Sequence, residues 1–204
     1  MRPAALLLGA VFGVLLFVAA RFLFLPPPPA VHYHANFAVF VDGQRLDLSG
    51  DRYMEDVAAC AADPAGMRPQ DRAHLHENNG DVVHVHHNAA TWGALFLNLG
   101  FGLGDNYLIL DDGRKLFDGE DGRTIKFFLN GEQVLEMANR TIRSEDRMLM
   151  SVGPETPEQA MATQYPQVHS DAGHFNVTQD PASCAGTMRK LTVGERLKRA
   201  FWGA

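Results

Sequence analysis

The chain opens with a long apolar segment, and segments in which apolar and polar residues alternate follow it. Residues 4–25 contain one charged side chain, Arg21. About 20 apolar residues are needed to cross a bilayer, so this run predicts a membrane-spanning helix. Arg2 and the amino terminus form a small positive flank, which predicts that the chain after Pro26 lies outside. We therefore expect a single-pass protein of the cell membrane with an extracytoplasmic domain.

A cleaved signal peptide is the alternative interpretation of this segment. The small residues Val18-Ala19-Ala20 could serve as a cleavage site. The apolar run continues past them through Phe22 to Leu25, which favours an uncleaved anchor over residues 1–25. The prolines that follow, Pro26 to Pro29, prefer polyproline II, so a stiff spacer is expected over residues 26–30.

Beyond the prolines the hydrophobic pattern predicts strands and short helices. Apolar residues alternate from Phe37 to Val41, and Asp42-Gly43 then marks a hairpin turn. A helix is expected to begin after Thr91 and to end at Gly100. No periodic pattern marks a helix over residues 169–184. Further strands are predicted at Tyr107–Leu110, Lys115–Phe117, Ile125–Leu129, Gln133–Glu136 and Arg147–Val152, and a brief helix at Glu155–Thr163. The fold class expected for residues 31–188 is α+β, with a mainly antiparallel sheet.

The tail over residues 189–204 predicts a basic amphipathic helix. Val193, Leu197 and Phe201 share one face, with three basic residues among them. Such a helix can lie on an anionic membrane or dock on its own domain, and the pattern allows both. The formal charge of the chain is −6 and no nucleic-acid-binding motif is present, so nucleic acid is not expected as a partner.

Histidines carry the sharpest chemical signal. Five of the nine fall within the run HLHENNGDVVHVHH at residues 74–87, and His32 and His34 precede it. Three His-x-His pairs result, and residues two apart in a strand point to the same face. Because histidine is the commonest metal ligand, this spacing predicts a metal site built on strands.

The turn of the predicted histidine hairpin decides whether its imidazoles meet. A two-residue turn at Asn79-Gly80 would put the pairs His74/His76 and His84/His86 on opposite faces, because a one-residue slip inverts a strand. A three-residue loop over residues 78–80, with glycine in the left-handed position, pairs His74 with His84 and puts all four on one face. We expect the second arrangement, because it separates the imidazoles from the apolar side chains.

Copper and zinc both accept imidazole ligands, so one of these ions is the expected cofactor. Glu77 is a candidate to orient an imidazole or to ligate directly. Three histidines with an open position would suit a catalytic ion, and four would suit a closed or storage site. His87 is expected on the opposite face, and His169 and His174 on the surface, although either of the last two could cap the site. The expected ligands are His34, His74, His76, His84, His86 and His32.

The two cysteines are expected to form a disulfide. Outside the membrane Cys60 and Cys184 would meet an oxidising environment, and they allow one connectivity. A role as metal ligands is the alternative, although neither has a CxxC partner.

The sequence favours metal binding, buffering or delivery over catalysis. Asp111-Asp112 has the character of a turn, and the glycine-rich residues 100–104 match neither a P-loop nor a dinucleotide motif. A zinc-type hydrolase or lyase remains an alternative, and Met54 or Met67 near the site would favour copper handling. A third interpretation is a metal-free envelope module that holds a partner protein through its sheet edges.

The segments HYHANFAVFVDGQRLDL, HLHENNGDVVHVHH and TWGALFLNLG resemble a family of membrane-anchored, extracytoplasmic His-rich proteins of bacteria and archaea. The match covers roughly residues 31–104. The resemblance implies that His34, His76, His84 and His86 belong together, and it implies no particular activity. The segment KFFLNGEQV…IRSEDRMLMSVG also resembles the closing strands of a β-grasp-like unit.

Overall fold

Two units make up the part of the chain that the computed structural model describes, residues 3–25, 31–55, 68–178 and 191–202. One unit combines Met1–Ala30 with Met188–Ala204, and the other is Val31–Thr187. The described residues of the first unit contain two α-helices, and those of the second contain both sheets and three α-helices.

The first unit is built on helix α1, Pro3–Phe24, which has no acidic residue in its first turn. Its stretch Leu7–Phe24 is long and apolar enough to cross a membrane, and a signal sequence would share these properties. The side on which the rest of the chain lies stays a prediction. The second helix of this unit is α5, Val193–Trp202.

The described residues of the second unit form two sheets. Their strands are β1 Tyr33–Val41, β2 Gln44–Arg45, β3 Ala73–His74, β4 Val82–Val85, β5 Gly102–Leu103, β6 Tyr107–Ile109, β7 Lys115–Phe117, β8 Thr124–Leu129, β9 Glu132–Val134 and β10 Arg147–Gly153. The main sheet has seven of these strands in the order β3-β4-β1-β10-β8-β9, and β2 pairs with β1 beside β4. The smaller, antiparallel sheet has the order β5-β6-β7.

The centre of the main sheet is a parallel pair. Strand β1 runs beside β10, with Asn36 opposite Arg147 and Val41 opposite Val152. The other pairings in both sheets are antiparallel, so the expected α+β class with a mainly antiparallel sheet is confirmed.

The first hairpin forms where its turn dipeptide predicted it. Asp42 and Gly43 both have positive φ, 48° and 76°, as a tight two-residue turn requires. Val41 then pairs with Gln44 across the turn. The alternating residues of β1 consequently point to opposite faces of the sheet.

One face of the sheet is covered by helix α2, Trp92–Asn98. The Thr91 side chain accepts a hydrogen bond from the Ala94 N–H at 3.2 Å, and Gly100 ends the helix with a φ of 84°. Both boundaries confirm the prediction from sequence. The buried side chains of this face include Phe37, Val39, Trp92, Leu95 and Phe96.

The other face is covered by helix α3, Pro157–Thr163, and helix α4, Ala172–Val177. Thr156 and Gln159 form a capping box at the start of α3. Ala38 and Phe40 of β1 pack in the cluster of buried residues that includes Ala160 of α3. Helix α4 contacts β1, and it lies in a segment where no periodic pattern had marked a helix.

Candidate metal centre

Strand pairing brings the histidines of three strands together. His84 of β4 lies opposite His74 of β3 on one side and opposite His34 of β1 on the other. The predicted pairing of His74 with His84 is confirmed. Val83 and Val85 belong to the core under α2, so the imidazoles occupy the opposite face of the sheet.

The loop before β4 differs from the expected turn. Glu77 and Asn78 have positive φ, 59° and 55°, whereas Gly80 does not. Glycine is required at position 80 for a different reason, because an added Cβ would lie 2.6 Å from the carbonyl carbon of Leu48. Glu77, the candidate to orient an imidazole, is exposed in this loop.

Six histidines pack ring against ring on this face, and we call them the histidine cluster. Adjacent ring centroids lie 3.5 Å apart for His76 and His84, 4.3 Å for His34 and His84, and 4.8 Å for His32 and His34. His86 lies 4.9 Å from both His32 and His74. The cluster consists of His32, His34, His74, His76, His84 and His86.

The cluster is sheltered from solvent. Its members are buried except His32, which is half-buried. Five adjacent buried imidazoles are costly to remove from water unless their nitrogens find partners. Among the described residues, Nε2 of His86 is buried with no hydrogen-bond partner. A bound cation would supply that missing partner.

Three members approach the geometry of a ligand set. One ring nitrogen from each of His32, His34 and His84 lies within 4.8 Å of the other two. Nitrogens around a tetrahedral zinc ion, at bond lengths of about 2.0–2.1 Å, are separated by about 3.4 Å. The three rings therefore need only a modest inward movement to bind one ion.

Asn176 of α4 orients His34. The backbone N–H of His34 donates to Oδ1 of Asn176 at 2.8 Å, and Nδ1 of His34 lies 3.0 Å from the same atom. Because a backbone N–H can only donate, this Asn176 atom is the amide oxygen, and Nδ1 of His34 must carry a proton. The lone pair of the neutral ring is therefore on Nε2, which points into the cluster.

The same reasoning extends to His84. Nε2 of His34 lies 2.9 Å from Nδ1 of His84, so the Nδ1–H of His84 donates to it. This leaves the lone pair of His84 on its own Nε2. The ring of Phe175 packs against that of His34, with 5.8 Å between the ring centroids, and covers it with an apolar surface. Helix α4 therefore both orients and shields the ligand candidates.

The electrostatics favour the neutral form of three members of the cluster. Burial, followed by repulsion from His76, lowers the pKa of His74 to about 4. Burial, followed by repulsion from His74, lowers the pKa of His86 to about 3. The pKa of His84 is also lowered, by burial first and then by His76 and His34. Neutral imidazole is the form that binds metal, so these three side chains need lose no proton near neutral pH.

The remaining histidines lie outside this packing. Nδ1 of His87 accepts the Ala89 N–H at 3.0 Å. His169 lies between carboxylates, 3.5 Å from Asp81 and 3.7 Å from Asp171, and His174 is exposed. These positions make them ordinary turn and surface residues.

Of the sulfur-containing residues considered as ligands, only Met54 lies in the described part of the chain, and it does not reach the cluster. Met54 bridges to Leu75 and packs in the core under α2, on the face away from the imidazoles. Cys60, Cys184 and Met67 lie outside the described residues, so the expected disulfide stays a prediction.

Neither Asn176 nor Phe175 could be recognised from the sequence as part of the site. Both lie in a glycine- and aspartate-rich segment in which no period marks a helix. Their role depends on the approach of α4 to β1, far away in sequence, and only that contact identifies them.

No family model, curated protein or solved structure matches this chain. The resemblances to a His-rich family and to a β-grasp-like unit stay predictions.

Proposed function

We propose that this protein is a membrane-anchored extracytoplasmic metal-binding protein that buffers or delivers copper or zinc through the histidine cluster. The observation that carries the proposal is the convergence of six imidazoles from three neighbouring strand segments into one sheltered group.

The donor set fits a borderline transition metal. Imidazole nitrogen suits zinc and copper, whereas calcium and magnesium prefer oxygen ligands. Within the described residues, the group close enough to hold an ion consists of His32, His34 and His84, with no carboxylate in it. These three are the expected first ligands, and His76 is close enough to His84 to exchange with them.

The absence of a carboxylate from this group of histidines favours metal binding over hydrolysis. A hydrolytic zinc site needs an open position and a base that accepts a proton from the bound water. Among the described residues, the group close enough to hold an ion includes no carboxylate, and Glu145 is engaged by the Asn176 amide, which donates to it at 3.4 Å. Surplus imidazoles that can exchange as ligands suit an ion that must be taken up and passed on.

Metal quantification on the full chain tests the proposal. The protein would be purified in detergent without an affinity tag, treated with chelator, re-exposed to copper or zinc separately, and analysed for bound metal. We expect stoichiometric binding of at least one of the two ions. We expect His84→Gln to reduce that binding strongly, because it removes a buried ligand candidate at the centre of the cluster.

His174→Gln is the matched control, because His174 is exposed on α4 and outside the cluster. If His84→Gln fails to fold, His32→Gln tests the same ligand group at its half-buried edge. Wild-type protein without bound metal, or variants that bind as much as the control, would refute the proposal.

A further inference from the structure

The unit that contains the apolar helix α1 also contains an exposed amphipathic helix, α5, Val193–Trp202. This helix has an exposed apolar stripe on one side. Val193, Leu197 and Phe201 are spaced four apart and are 67%, 44% and 57% exposed. Residues at this spacing lie above one another on a helix. The described part of this unit therefore leaves the stripe uncovered.

The neighbour of α5 within its unit is the end of the apolar helix α1. Nη2 of Arg21 donates to the carbonyl oxygen of Arg199 at 3.1 Å, and the guanidinium of Arg196 lies 5.6 Å from the centre of the Phe22 ring. Ala200 is buried in the same contact region. These contacts place α5 beside the last turn of α1, where a membrane-spanning helix would leave the hydrocarbon region.

The charges of α5 are arranged for a lipid surface. Arg196, Lys198 and Arg199 outnumber Glu195 and lie away from the centre of the apolar stripe. Arginine and lysine beside a lipid-facing stripe bind anionic headgroups, while the stripe enters the acyl boundary.

We propose that α5 is an interfacial helix that lies on an anionic membrane surface with Val193, Leu197 and Phe201 facing the lipid. This inference rests on the proposed function only in requiring that α1 anchors the chain. Together α1 and α5 hold the protein at the membrane by two signals, one spanning and one lying flat.

Tryptophan depth measurements on the full chain in vesicles test the proposal. A Leu197→Trp probe would be made in a Trp202→Phe background, where the other tryptophan, Trp92, is fully buried. The matched probe is Lys198→Trp, one residue on and about 100° around the helix. We expect the emission of the Leu197→Trp probe to shift to the blue on binding to vesicles and to be quenched by brominated lipid. Both effects should be weaker in vesicles without anionic lipid. The Lys198→Trp probe should instead be quenched by acrylamide from water.

The outcomes separate this inference from the membrane anchor. If the chain floats with the vesicles but acrylamide quenches both probes equally, the interfacial helix is refuted and the anchor stands. If the Leu197→Trp probe is shielded from lipid and water alike, the stripe docks on protein, which also refutes the inference. A chain that fails to associate with vesicles refutes both.

Discussion

Replacing Asn176 with alanine tests its role in orienting the candidate ligand His34. The change removes the oxygen that accepts both the backbone N–H and Nδ1–H of His34. His34 is fully buried, so its backbone N–H would be left without this partner, at a cost of about 1–3 kcal/mol in unfolding free energy. The ring would also lose the bond that keeps its lone pair on Nε2. Loss of such an outer partner typically lowers metal affinity by about 10–100-fold.

Two measurements on the full chain separate these effects. Denaturant unfolding in chelator reports the stability of the metal-free protein, and competition with a chelator reports metal affinity. Asn176→Asp keeps an acceptor oxygen and should retain most of the affinity. Ser144→Ala removes only one of the two acceptors of the Asn176 amide nitrogen, the hydroxyl 3.0 Å away, and should leave the affinity unchanged. If Asn176→Ala loses stability but binds metal as tightly as Ser144→Ala, the argument from the His34 tautomer is wrong.

Three further predictions concern stability. The metal-free protein should lose stability in acid, because the pKa of His74 is about 4 in the folded state and 6.5 in the unfolded state. The unfolding free energy is unaffected by this group above pH 6.5 and falls by about 2 kcal/mol on acidification to about pH 5, where the unfolded state alone takes up the proton. Urea midpoints that do not shift between neutral and acid pH would contradict this. Gly80→Ala should destabilise by about 1–3 kcal/mol, because its Cβ would meet the Leu48 backbone, whereas Gly50→Ala meets nothing within 4 Å and should be near neutral in the same thermal melts. Thr91→Ala should cost about 1 kcal/mol by removing the cap of α2, and a Thr91→Ser variant that fails to restore stability would contradict a capping role.

Local signals were sufficient to predict much of the sheet. The Asp42-Gly43 dipeptide and the alternation from Phe37 to Val41 correctly predicted the first hairpin. The alternation of histidine and apolar positions along the two strands predicted that His74 would pair with His84. Only one register keeps the apolar and imidazole side chains on separate faces. These predictions succeed because their causes lie within a few residues.

The remaining features depend on contacts between distant segments. No local pattern indicates that β1 pairs in parallel with β10, or that Asn176 reaches His34. The role of Gly80 was also misassigned, since the requirement there comes from the Leu48 backbone and not from the φ of the turn. Sequence reasoning found the candidate ligands but not the groups that orient and shield them.

The parallel ladder between β1 and β10 has a consequence for how the protein is made. Strand β1 leaves the ribosome soon after α1, whereas β10 emerges only after most of the domain has been synthesised. Long-range pairing of this kind slows folding, because the intervening chain must first close on itself. Helix α4, which follows β10, completes the enclosure of His34 later still. Until α4 has formed, the imidazoles of β1, β3 and β4 lack the covering and the Asn176 contact that the finished domain provides.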